Sequence, residues 1–231
     1  MNGVVAALAA EARALGAIRR GGAKTPGDFS QLEDGTLLAV SGIGSRAAHA
    51  AARALVAAQV SALMSFGLAG ALDPNLAAGT IILPGELISP DGARFVTCKA
   101  WRERVAASLG NDCAVCTDTL LSSARAIATP RDKAAAFRDT GAAAVDMESA
   151  AVAEVAAAHG LPFIAVRVIV DTAGDALPPS VIAASGAGRV EIGRLIAGLV
   201  AAPREFAALL RLARRYRTAM RTLRTVATHL A

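Results

Sequence analysis

Phe163-Ile164-Ala165-Val166-Arg167-Val168-Ile169-Val170, with Asp171 directly after it, is an apolar run broken only by Arg167. A strand with one wet face alternates apolar and polar residues. An unbroken run is buried on both faces, as in a parallel sheet covered by helices. Just upstream, Ser149–His159 has the composition of a helix, and Gly160 and Pro162 stop it. The helix-then-strand pattern recurs along the chain. Strands are predicted at Val4–Leu8, Leu37–Ser41, Ala62–Gly67 and Thr80–Leu83, with shorter ones at Val115–Thr117 and Ala143–Asp146. Helices are predicted at Ala9–Ile18, Ser45–Val60 with Ser45 as N-cap, Gly188–Val200 and Arg204–His229. Strands alternating with helices predict an α/β class protein: a three-layer α/β/α fold around a central mixed, mostly parallel sheet. Residues 1–202 form one domain in this reading, and 203–231 a basic amphipathic helical extension.

Composition limits the function classes. The chain has 231 residues, 54% of them hydrophobic, which excludes disorder and gives enough material for a large core. Aromatic residues are only 3%, so Ala, Val, Leu and Ile must fill that core. Three cysteines fit neither a disulfide framework nor a paired Cys/His zinc pattern, and no metal is expected. Cys113 and Cys116 flank the strand-like Ala114-Val115 and read as small buried side chains rather than a redox pair. No apolar stretch is long enough to span a bilayer, and the opening Met1-Asn2-Gly3-Val4-Val5 lacks a basic leader region, so a cytoplasmic location is expected.

The positive charge is confined to one place. Residues 203–231 hold seven arginines (204, 211, 214, 215, 217, 221 and 224) and one acid, Glu205, against a whole-chain charge of +5. The body is therefore close to neutral. A nucleic-acid partner is not expected, because basic residues interleaved with aromatics on a folded face are missing. In the tail Leu209, Leu212, Tyr216, Met220 and Leu223 recur at helical spacing. Two readings stay open: a last helix docked on the body, or an interfacial helix in peripheral contact with anionic lipid on the inner face of the membrane.

Ligands of such sheets sit at the carboxyl ends of the strands. The candidates are therefore Glu11, Gly42–Gly44, Gly67–Gly70, Thr117–Leu120, Asp146–Glu148 and Asp171. Asp146 and Glu148 flank Met147 where a strand becomes a helix. They are either helix-start acids or carboxylates for a sugar diol. Arg167, inside its strand, either reaches solvent from an edge or is buried with a nearby acid such as Glu148. Glu11, Glu148 and Asp171 converge on one sheet edge, which suits acid–base work on a glycosidic bond. His49 and His159 read as ordinary helix residues. No G-x-G-x-x-G, P-loop or nucleophile elbow is present.

Taken in order, Glu11, Ser41-Gly42-Ile43-Gly44, Gly67-Leu68-Ala69-Gly70, Val145-Asp146-Met147-Glu148-Ser149-Ala150 and Arg167-Val168-Ile169-Val170-Asp171 resemble the nucleoside phosphorylase family. The resemblance spans residues 3–200 and is nearest to the methylthioadenosine/S-adenosylhomocysteine nucleosidases. Asp175-Ala176-Leu177-Pro178-Pro179 and the Arg-rich tail resemble its hopanoid-associated branch, which removes adenine from adenosylhopane. The resemblance implies an enzyme that cleaves the N-glycosidic bond of an adenine nucleoside. Asp171 would pass a proton to adenine N7, and Glu11 would activate water. Glu148 would bind the ribose hydroxyls, with Met147 under the ribose and Arg167 orienting Glu148. Leu8, Ile43, Gly67, Ala69, Gly70 and Leu120 would line the substrate pocket.

Leu120 stands where the family has a base-stacking aromatic, Val170 where it has Ser or Asn, and Leu68 where serine is common. The more apolar site suits a lipid-like 5′ substituent. Hydrolysis and phosphorolysis both stay open, with Arg46 as the phosphate candidate. No cofactor is implied beyond inorganic phosphate as a co-substrate. A non-catalytic nucleoside-binding protein on the same fold would be expected to lose Glu11 or Asp171, and both are present. The family also implies a homodimer or larger oligomer, for which the Ala-rich Ala47–Val60 offers a close-packing surface.

Overall fold

The computed structural model describes residues 1–16, 29–110, 113–179, 182 and 206–230, with residues 206–208 as backbone alone. The predicted helix Gly188–Val200 lies outside the described residues. Elements follow in the order β1 (Asn2–Ala6), α1 (Ala9–Ala14), β2 (Phe29–Gln31), β3 (Leu37–Val40), α2 (Ser45–Ala57), β4 (Ala62–Ala71), β5 (Ile81–Ile82), β6 (Glu86–Ile88), β7 (Arg94–Val96), α3 (Lys99–Leu109), β8 (Val115–Cys116), β9 (Leu120–Ser122), α4 (Pro130–Thr140), β10 (Ala144–Asp146), α5 (Ser149–Ala158), β11 (Phe163–Asp171) and α6 (Phe206–Thr228).

The strands form one mixed sheet centred on β4. Its first half pairs in parallel with β1 on one edge and β11 on the other. Beyond the end of β1, Gly70 and Ala71 pair antiparallel with β10. Gly70 therefore lies between Val145 of β10 and Asp171 of β11. The segment 67–70, which runs past the predicted strand end at Gly67, is strand as well. Glycine suits it because neighbouring side chains come over its backbone, as the site below shows. In β11 the register slips between Ile169 and Asp171, so Val170 is the extra residue of a bulge and Asp171 is re-aimed.

Helices cover both faces, as expected of a three-layer fold. On one side Ala48, Ala51, Ala52 and Leu55 of α2, at i, i+3, i+4 and i+7, pack with Val152, Val155 and Ala156 of α5 over Leu63, Ala165 and Ile169. The alanine surface expected to serve subunit pairing is thus largely spent inside the chain. On the other side α1, α3 and α6 cover Val4, Phe66, Ile164, Val166 and Val168. Ser45 does not cap α2: the N-cap is Gly44, at φ 100°, a conformation that favours glycine.

Of the two readings of the tail, the structure shows a docked helix. Ala219, Met220, Leu223, Val226 and Ala227 of α6 are buried in the core. Burial of Met220, Leu223 and Val226 stabilises the docking by roughly 1.5–3 kcal/mol each. The opposite face carries Arg211, Arg214, Arg217, Arg221 and Arg224, all exposed. Among the described residues no helix is long and apolar enough to cross a membrane. Cys113 and Cys116, expected to be buried, are free and only half-buried, and Cys116 lies in the short strand β8.

Candidate active site

Arg167 organises the strand ends. It is 1% exposed and in the middle of the sheet, which rules out an edge position reaching solvent. Its Nη2 donates to Asp146 Oδ2 at 2.8 Å and to Ser65 Oγ at 2.7 Å, and its Nε to Ser149 Oγ at 3.1 Å. Glu148 Oε2 is 3.8 Å from the same Nη2. The nearer partner is thus Asp146, and Glu148, the partner expected from the sequence, is the farther. A charge this deep is tolerable only when its donors are used. Asp146 has further donors on both oxygens: Ser122 Oγ donates to it at 2.6 Å and the Ser149 N–H at 3.1 Å. Of the two acids around Met147, Asp146 thus takes the structural role at the start of α5.

Glu148, the other acid, is held differently. Its Oε1 accepts from the Gly44 N–H at 2.8 Å, which ties the α5 start to the β3–α2 turn. Burial pushes its carboxyl up to about 7, because Arg167 only partly offsets the desolvation and Asp146 and Glu11 add repulsion. Glu11 is 3% exposed. It accepts from the Leu8 N–H at 2.9 Å and the Leu68 N–H at 3.0 Å, so two backbone amides fix both of its oxygens. Burial raises its pKa as well, against the lowering effect of Arg167.

Gly67 and Gly70 make room for these groups. A Cβ on Gly67 would sit 2.6 Å from Glu11 Oε1 and nearer still to the Arg167 guanidinium; one on Gly70 would sit 3.0 Å from Asp171 Oδ2. Glu11 and Asp171 therefore each fill the space above a glycine of β4, at positions three residues apart in the strand. Asp171 is 5% exposed, and burial raises its pKa while the Lys133 ammonium in contact with it pulls the other way.

Leu8, Ile43 and Met147 are partly exposed at their strand ends, beside these carboxylates. Two residues expected to line the pocket are buried among core side chains. Leu120 has no exposed surface and pairs in β9 between Leu87 and Ala144, and Ala69 is a core residue of β4. Both side chains take the core-facing turn of the strand alternation. Arg46 is exposed in the first turn of α2, two residues from Gly44, without an ion pair among the described residues. Sequence reasoning missed Ser65, Ser122, Ser149 and Lys133. The serines carry no signal of their own. For Lys133 only its helix is signalled, since Thr129-Pro130 and Gly141 bracket α4 as a capped helix: Thr129 accepts from the Asp132 N–H at 3.1 Å and Gly141 closes it at φ 68°.

The chain matches the phosphorylase superfamily over residues 3–201. No curated protein matches it. Among solved structures, a Weissella paramesenteroides protein provisionally named a methylthioadenosine nucleosidase is 26% identical, with 75% of this chain and 88% of that one covered at a TM-score of 0.67. A methylthioadenosine/S-adenosylhomocysteine nucleosidase of Colwellia psychrerythraea, solved with adenine, is 24% identical over 75% and 83% at 0.65. The Neisseria meningitidis nucleosidase in complex with methylthio-immucillin-A is 19% identical over 99% and 97% at 0.74, a likeness of fold. Catalysis of nucleoside N-glycosyl bond cleavage is the chemistry that the family match supports. By that match, over most of its length and on this fold, the chain belongs to the phosphorylase superfamily.

Proposed function

We propose that the protein releases adenine from an adenine nucleoside carrying a large apolar 5′ substituent, with adenosylhopane as the substrate class. The observation that carries the cleavage is a set of three buried carboxyls at the strand ends: Glu11 packed over Gly67, Asp171 packed over Gly70, and Glu148 interacting with Glu11. Cleavage of a glycosidic bond needs both a proton donor at the leaving base and a proton acceptor for the nucleophile. Asp171 gives its proton to adenine N7 while the C1′–N9 bond breaks and its electron pair passes to the base. Glu148 accepts hydrogen bonds from the ribose hydroxyls and faces the developing oxocarbenium charge. Glu11 takes a proton from water as the water oxygen bonds to C1′. In this scheme neither a metal nor an organic cofactor takes part. Phosphate replaces water if Arg46 and the α2 N-terminus hold it.

A methylthioadenosine/S-adenosylhomocysteine nucleosidase is the second reading, favoured by the named activities of the structural neighbours. Adenosine, methylthioadenosine and adenosylhopane, each with and without phosphate, separate the readings by free adenine released. The first reading requires adenosylhopane to be the best substrate. Asp171→Asn is expected to lower turnover by several orders of magnitude in either case, and full adenine release by that variant would remove the acid.

The arginine face of α6 supports peripheral contact with anionic lipid, at roughly 1 kcal/mol per basic residue close to the surface. Removal of the helix would strip the core of Met220 and Leu223, so the charge is tested by substitution rather than truncation.

A further inference from the structure

A buried lysine is costly unless its charge and all its protons are matched. Lys133, in the first turn of α4, is 0% exposed. Its Nζ donates to the Asp171 carboxylate, to the Thr172 carbonyl at 2.8 Å and to the Asp175 carbonyl at 3.1 Å. Three protons meet three acceptors. The acceptors are themselves anchored. The Asp175 carboxylate accepts from the Thr172 N–H at 2.8 Å and its hydroxyl at 2.7 Å, and it pairs with Arg215 of α6. The charged groups acting on Asp171 are therefore Lys133 from α4 and, farther off, Arg215 from α6.

We propose that Lys133 is a positioning residue for the cleavage: its ammonium fixes one oxygen of the Asp171 carboxyl, leaves the other for the base, and matches the charge left there once the proton has gone. The proposal rests on the assignment of Asp171 as the acid. A buried carboxyl alone holds its proton too tightly to be a good donor, because its anion is poorly solvated. An ammonium in contact stabilises that anion, so the proton passes to N7 at lower cost. Burial raises the proton affinity of Asp171 and Lys133 opposes it. The active form is protonated, so activity falls as pH rises through this group, and loss of Lys133 must move that alkaline limb upward.

The test is the pH profile of kcat/KM for adenine release by the full chain with Lys133→Met, Lys133→Arg and Asp171→Asn. Lys133→Met is expected to lower kcat by about 10- to 100-fold. KM should change little, and the alkaline limb should move up by about one pH unit or more. Lys133→Arg keeps the charge and is expected to leave the limb near its wild-type position. If Lys133→Met does not fold by circular dichroism, Lys133→Gln takes its place with the same expectations. A limb that stays put in the uncharged variant, with Asp171→Asn inactive, overturns the role of Lys133. Full turnover by Asp171→Asn instead overturns the assignment of the acid.

Discussion

Glu148→Gln is expected to abolish useful turnover and yet make the protein more stable at neutral and alkaline pH. Glu148 is raised from an ordinary 4.5 to about 7 by burial. In the unfolded chain the same carboxyl ionises near 4.5. A carboxyl whose folded pKa lies above its unfolded one binds its proton more tightly in the native state, so stability is greatest at low pH. It is lost as pH climbs from about 4.5 through about 7. A gap of about 2.5 pH units corresponds to about 3 kcal/mol of destabilisation by pH 8, since each unit is about 1.4 kcal/mol. Glutamine does not ionise, and its amide oxygen still accepts from the Gly44 N–H. The variant should therefore gain up to about 3 kcal/mol at pH 8 and less than about 1 kcal/mol at pH 5. For a chain of this length that is a melting temperature higher by roughly 6–12 °C at pH 8. Thermal melts by circular dichroism at pH 5 and pH 8 read it directly. A variant no more stable than wild type at pH 8, or equally changed at both pH values, would refute the claim that the site holds Glu148 against its own desolvation.

Gly67→Ala should keep the secondary structure but drive Glu11 and Arg167 from their places, lowering kcat by about 100-fold, because misplacement by about 1 Å is enough; wild-type turnover would remove Gly67 from the site. Arg46→Gln should lower activity only in phosphate-containing assays, and an equal loss without phosphate would point to a structural role instead. Replacement of Arg214, Arg217, Arg221 and Arg224 together by Gln should abolish sedimentation with phosphatidylglycerol vesicles at low salt and leave the melting temperature within a few degrees; retained binding would sink the lipid-surface reading. Light scattering at micromolar concentration should show a homodimer or larger even oligomer, and a monomer would exclude the subunit pairing that the family implies.

How far the sequence could be read depended on the kind of signal. The run Phe163–Val170 announced a buried central strand because its side chains answer to burial alone. The glycines 67–70 misled for the opposite reason: they signal turns by propensity, yet here they continue β4 because Glu11, Arg167 and Asp171 need the space a Cβ would take. Arg167 was legible as a buried charge, but its nearer partner Asp146 was not, since that depends on β10 joining β4 from the antiparallel side. Leu120 was placed at the pocket by likeness of motif, and a strand too short to detect buried it. Lys133 escaped because a lysine in a polar helix turn looks solvated until the end of β11 is brought over it.

The docking of α6 has a consequence for biosynthesis. Val166 and Val168 of β11 and Phe66 of β4 belong to the layer that α6 closes, and α6 begins some 35 residues after β11 ends. Translation at about 5–20 residues per second leaves a delay of about 2–7 s between the two. During that interval the sheet presents outside the ribosome an apolar face that only α1 and α3 cover, and the anchor that Arg215 gives Asp175 does not yet exist. The nascent chain is therefore most open to chaperone capture and to misassociation just before its arginine-rich helix emerges, and slow codons ahead of that helix would lengthen the exposure.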